Sequence, residues 1–129
     1  MATNSVLLYR AFNTHFLEFI DDMQMAFPKD ADIRAAKITF ETIRKTNLRL
    51  MLKMWKSCIT DLYGDEIEKG NLDFFINKNY TEDVGEGENA EYVMGCINRL
   101  REPIRNLGKE NKAKAMHYIQ NLTKLSKMI

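Results

Sequence analysis

The spacing of apolar side chains near the N-terminus constrains this chain more than any other feature. Phe12, Phe16, Phe19, Ile20, Met23 and Phe27 recur at intervals of three and four residues. On an α-helix that spacing lines one face, whereas on a strand it would scatter the same side chains over both faces. The expected helix runs from about Ser5 to Phe27 and stops before Pro28, because the residue preceding a proline resists the α conformation. Ile33, Ala36, Phe40 and Ile43 form a second stripe after an N-cap at Asp30 or Asp32. Val93, Cys96, Ile97, Leu100, Ile104 and Leu107 form another, beginning near Asn89 or Ala90, with a kink or restart expected near Arg101 because Pro103 follows. Ala115, Ile119, Leu122, Leu125 and Ile129 mark a last helix from Lys109 to Met128.

Between these lies the most apolar stretch, which starts after a break at Thr46-Asn47 and extends to about Tyr63. Leu48, Met51, Leu52, Trp55, Ile59 and Leu62 give it a broad apolar face, with Leu50 and Met54 outside that face. A helix apolar over so much of its circumference belongs at the centre of a bundle, contacted on several sides. Gly64 and Gly70 are expected to bracket a short turn, DEIEK, and Asp73 to cap another, FFINK. Strand-like alternation and hairpin signals are missing. The expectation is an all-α fold: one compact domain over residues 1–129, with about five main helices and short helical turns in an acidic connector. Its flexible tip is placed near residues 84–89, where Gly85 and Gly87 permit unusual backbone angles.

Net charge is only +1, but the charges are segregated. Residues 1–60 carry nine basic and six acidic side chains, residues 61–91 two and ten, and residues 92–129 eight and two. Blocks of that kind bear on partners and self-association more than the total does. The acidic connector fails as a calcium loop, since registers from Asp61 and Asn79 put Glu66 and Val84 where an EF-hand needs glycine. Its carboxylates have no His, Ser or Cys close in sequence to make an acid–base or nucleophilic set. Glu82, Asp83, Glu86 and Glu88 are therefore read as a solvated face and a candidate surface for a basic partner. Phe74, Phe75 and Ile76 are expected to fasten the segment to the bundle.

Lys45, Arg49, Lys53 and Lys56 form a cationic strip, with Arg34, Lys37 and Arg44 upstream. Spaced cations suit phosphate or an acidic protein surface. No known nucleic-acid-binding pattern accompanies them. His15 and His117 fall two ligands short of a zinc set. No phosphate loop is present, because the glycines stand singly at the ends of elements. No catalytic, metal or cofactor residue is assigned. The methionines are expected to fill gaps in the core. Cys58 and Cys96 lie in apolar helical patterns and are read as buried thiols in a reducing compartment. With no secretory signal and no apolar run long enough to span a bilayer, the expected location is intracellular, and the sequons at Asn79 and Asn121 carry no weight.

Several stretches, in order, resemble small proteins of large DNA viruses of algae and amoebae. They are FNTHFLEFIDD (Phe12 to Asp22), FPKDADI (Phe27 to Ile33), KTN (Lys45 to Asn47), Trp55, DFFINKNY (Asp73 to Tyr80) and YIQNLTKLS (Tyr118 to Ser126). One position departs from that group: a proline often follows the asparagine of the third-helix cap, and here Leu48 stands there. The resemblance implies a helical, non-enzymatic accessory or virion-associated protein, found in host cytoplasm or the particle. The expected function is structural or protein–protein interaction, self-association included. The alternative is a nucleic-acid-associated protein that uses the cationic strip.

Overall fold

Every apolar stripe becomes a helix. The computed structural model describes the backbone of residues 2–78 and 90–129, and the side chains of residues 5–78 and 93–129. Helix α1 spans Ala2–Ala26, starting earlier than the stripe required, and Phe27 with Pro28 turns the chain. Asp30 caps α2 (Ala31–Thr46), its Oδ1 accepting from the Asp32 and Ile33 amides at 2.9 and 3.0 Å. Asn47 breaks the chain in extended geometry, and its Oδ1 accepts from the Arg49 amide at 3.1 Å.

From Leu50 the chain climbs through the centre of the bundle as one rod. It comprises α3 (Leu50–Trp55), a π-helical turn (Lys56–Thr60) and α4 (Asp61–Glu68), with right-handed helical angles at each junction. The Asp61 amide donates to the Lys56 carbonyl, five residues back. That bond accommodates one extra residue and rotates everything beyond it by roughly 100° relative to an unbroken α-helix. Two expectations fail for this reason. Leu62, assigned to the apolar face, is 55% exposed, and the buried positions past the turn are Gly64 and Ile67. Gly64 does not end the helix but lies inside it.

The rod ends at Gly70, whose φ of +81° is left-handed. The Gly70 amide donates to the Ile67 carbonyl at 2.9 Å and the Asn71 amide to the Glu66 carbonyl at 3.0 Å. This pair of bonds is the Schellman arrangement, which favours glycine because it lacks Cβ. Asn71, not Asp73, then caps α5 (Leu72–Asn77), accepting from the Phe74 amide at 3.1 Å. Helix α6 covers Ala90–Arg105 and α7 covers Lys109–Lys127. Pro103 does not interrupt α6; it sits in the last turn, where it removes the single bond its N–H would give to the Arg99 carbonyl and the helix continues to Arg105.

Among the described residues there are five long helical rods, the short α5, and no strand. The fold is an all-α bundle with one continuous apolar cluster drawn from every rod. Trp55, 1% exposed, sits near its middle, with Phe12 edge-on at 5.9 Å, Phe16 at 6.2 Å and Phe75 at 6.1 Å. Met51, Met94 and Met116 fill the core as expected, whereas Met25 and Met128 are 80% and 67% exposed because they lie off the inward faces. Ile129, assigned inward, is exposed past the end of α7.

The rod meets α7 through a buried polar seam. The Trp55 Nε1–H donates to Thr123 Oγ1 at 3.1 Å, and the Thr123 hydroxyl donates to the Ile119 carbonyl at 2.9 Å. Ser126 donates to the Thr123 carbonyl at 2.7 Å, so in the 2.6 Å contact with Thr60 it is the Thr60 hydroxyl that donates. Every proton in the seam has an acceptor. Replacing Thr123 by Val should leave the indole N–H buried and unpaired, lowering stability by about 1–3 kcal/mol in urea denaturation.

The two rod glycines should respond in opposite directions. A Cβ on Gly64 meets nothing closer than 3.9 Å, so Gly64→Ala should raise stability by up to about 1 kcal/mol through helix propensity. Gly70→Ala forces alanine into positive φ and should lower it by about 1–2 kcal/mol. Paired denaturation curves measure both.

Candidate functional site

The cationic residues are surface residues, but the expected strip is divided between two helices. Lys45 is exposed on α2, Arg49 is exposed at the N-cap that opens the rod, Lys53 is exposed on the rod, and Lys56 is half-buried. The Asn47 break separates Lys45 from the others, so the four do not follow one helical spacing. Tyr9 and Asn13 of α1 position this end of the rod. The Arg49 guanidinium lies 5.6 Å above the Tyr9 ring, and Asn13 Nδ2 donates to the Leu48 carbonyl at 2.9 Å. None of the four cations makes an ion pair among the described residues.

Glu82, Asp83, Glu86 and Glu88 lie outside the described residues, as does the tip at 84–89. The described part of the acidic block is fastened as the aromatics suggested. Phe75 and Ile76 are buried, and Phe74 packs on Tyr63 with ring centres 5.2 Å apart. Arg101 Nε donates to the Ile76 carbonyl at 2.6 Å, and Arg105 donates to Asn77 Oδ1 at 3.1 Å. Glu66 accepts from Asn71 at 3.0 Å, and Glu68 stands 3.9 Å from Lys127. Asp61 and Asp65 are exposed on the outer face of the rod, with no ion pair among the described residues.

One arrangement escaped the sequence reading. Arg49, Lys53, Ser57, Asp61 and Asp65 are all exposed and spaced every four residues along the rod, cationic at one end and anionic at the other. The spacing is visible in the sequence. Reading Gly64 as a helix end, and overlooking the π turn, hid it.

The remaining reactive groups are engaged or apart. His15 rests on the Tyr118 ring at 4.8 Å, with Nδ1 3.6 Å from Glu18, whereas His117 is exposed on the side of α7 near Gly70 and Leu72. Among the described residues no three His, Cys, Asp or Glu side chains gather where a metal ion could be held. Cys58 and Cys96 are buried free thiols. The Cys96 thiol donates to the Ala36 carbonyl at 3.3 Å, and burial pushes its pKa up to about 12. It stays a neutral thiol, a poor nucleophile.

An open groove of about 290 Å³ runs between the end of α1 and the first half of α7, lined by Phe19, Asp22, Met25, Lys114 and Tyr118. Its chief polar feature is already satisfied, since the Tyr118 hydroxyl donates to Asp22 at 2.6 Å. No described helix is long and apolar enough to cross a membrane. No protein-family model, curated protein or solved structure matches this chain.

Burial, and after it the hydrogen bond to Asp22, raises the Tyr118 pKa to about 12. The folded value lies above the ordinary phenol value of about 10, so this contribution to stability is complete below that pH and is lost as pH rises through about 12. The difference in ultraviolet titration between the wild type and Tyr118→Phe should show this phenol ionising above its ordinary range, and Asp22→Ala should move it part-way down. A Tyr118 phenol that ionises at its ordinary value would contradict this.

Proposed function

We propose that this chain acts by presenting surface, as a non-enzymatic structural or protein–protein interaction protein. The observation that carries this reading is the outer face of the rod. Arg49, Lys53, Asp61 and Asp65 stand exposed with no ion pair among the described residues, on a rod held rigidly by the core. Charges held at fixed spacing on a buried scaffold favour recognition of a complementary charged surface. The resemblance to small proteins of large DNA viruses supports a place in the particle or its assembly, and in host cytoplasm during infection. The acidic Glu82, Asp83, Glu86 and Glu88 belong to the same reading, as a further surface for a basic protein.

The second reading is a nucleic-acid-associated protein, favoured by the exposed Lys45, Arg49 and Lys53, which make no ion pair among the described residues, with Lys56 beside them. Phosphate binding by spaced cations falls steeply with salt. Against it, Asp61 and Asp65 continue the same face and would repel a phosphate backbone running along the rod. A titration of duplex DNA at low and high salt separates the two. The interaction reading expects no binding that depends on the strip. Salt-sensitive binding abolished by changing Lys45, Arg49, Lys53 and Lys56 together to Ala would replace it with the second.

A further inference from the structure

Along the outer face of the rod the exposed residues at every fourth position are Arg49, Lys53, Ser57, Asp61 and Asp65. The charges read positive, positive, neutral, negative, negative, over roughly 24 Å at the helical rise. Turned end for end about Ser57, this ridge is its own complement. The residues four positions away on either side are Lys53 and Asp61, and those eight away are Arg49 and Asp65. We propose that the ridge is a two-fold interface with a second copy of this chain, the two rods lying antiparallel and crossing at Ser57. Arg49 then faces Asp65 of the second copy and Lys53 faces its Asp61, each pair occurring twice.

Three observations favour a second copy over another occupant. The complement is symmetric about one residue, as an isologous contact requires and a phosphate strand does not. Ser57, at the crossing point, is small and exposed, so two helices can approach to an ordinary packing distance there. Leu62, 55% exposed, and the half-buried Met54 flank the ridge and would lose apolar surface to water on contact. Parallel rods would instead set like charges together. Because the pairs lie at a surface, the dimer depends on salt.

This inference rests on the interaction reading, and the two can fail separately. A monomer would overturn the dimer and leave the reading standing, while strip-dependent DNA binding would overturn the reading. The test is sedimentation equilibrium of the full chain. The wild-type protein should dimerise at low salt and lose about tenfold in association constant as ionic strength rises from about 50 to about 500 mM. Arg49→Asp with Lys53→Asp makes the ridge wholly acidic, and Asp61→Lys with Asp65→Lys makes it wholly basic. Each variant should be a monomer alone, and an equimolar mixture should form a one-to-one dimer. All four changes in one chain should restore self-association with the charges reversed. The four side chains are exposed, but Arg49→Asp also removes the contact with the Tyr9 ring, so circular dichroism of each variant checks the helical fold. A wild-type monomer at low salt, a dimer that survives either swap, or two variants that stay apart on mixing would overturn the interface.

Discussion

The hydrogen bond from the Asp61 amide to the Lys56 carbonyl governs how the rest of the molecule is arranged. It keeps an inward face along the whole length of the rod. Before the turn, Met51, Leu52 and Trp55 face inward; within it Ile59 does, and after it Gly64 and Ile67. An unbroken α-helix of the same sequence would carry Leu62 toward the core and swing the later positions out of it. The π turn costs some hydrogen-bond regularity. The polar seam offsets this, because Trp55, Thr60, Thr123 and Ser126 satisfy one another where the rod presses on α7.

The same neighbourhood explains why the bundle needs so many aromatic rings. Phe12 and Phe16 from α1, with Phe75 from α5, close around one indole, and Phe40 from α2 packs on Phe16 with ring centres 4.8 Å apart. The pairs are mostly edge-on or tilted, the arrangements aromatic rings prefer over a face-to-face sandwich. Burying Phe75 also anchors the start of the acidic segment, and Arg101 and Arg105 of α6 hold the far end of α5. Fold and charge layout are therefore coupled among the described residues: the core decides where the carboxylates of Asp61 to Asp73 stand.

Sequence periodicity was sufficient for the helices whose stripes keep a 3.6-residue repeat. The inward face of α2 was legible residue by residue, that of α6 apart from the buried Met94 and Pro103, and so was the Asn47 break, because asparagine there satisfies a local amide. The rod was misread in one respect, since a π turn adds a residue without any compositional mark and shifts each later side chain. Gly64 misled for a related reason. Glycine is a common helix terminator, but here Thr60 and Lys127 lie against it inside a continuing helix. Asn71 and Asp73 are both good caps, and the choice between them was made by Gly70, whose left-handed angle delivers Asn71 to the start of α5. The candidate surface was half legible: its cations were identified, but not the carboxylates aligned with them.

That alignment is itself a consequence of the π turn. Sixteen residues separate Arg49 from Asp65, and in an unbroken α-helix they would differ by about 160° around the axis. Accommodating one residue in the turn reduces the difference to roughly 60°, close enough for a single straight ridge. The local departure that seats Ile67 in the core thus also keeps cationic and anionic ends on one side of the rod. A substitution that restored regular α-helix through Lys56–Thr60 would therefore disturb the inner packing and divide the outer charges between two faces at once. The core and the surface cannot be altered independently along this segment, because a single backbone feature sets the rotation of both.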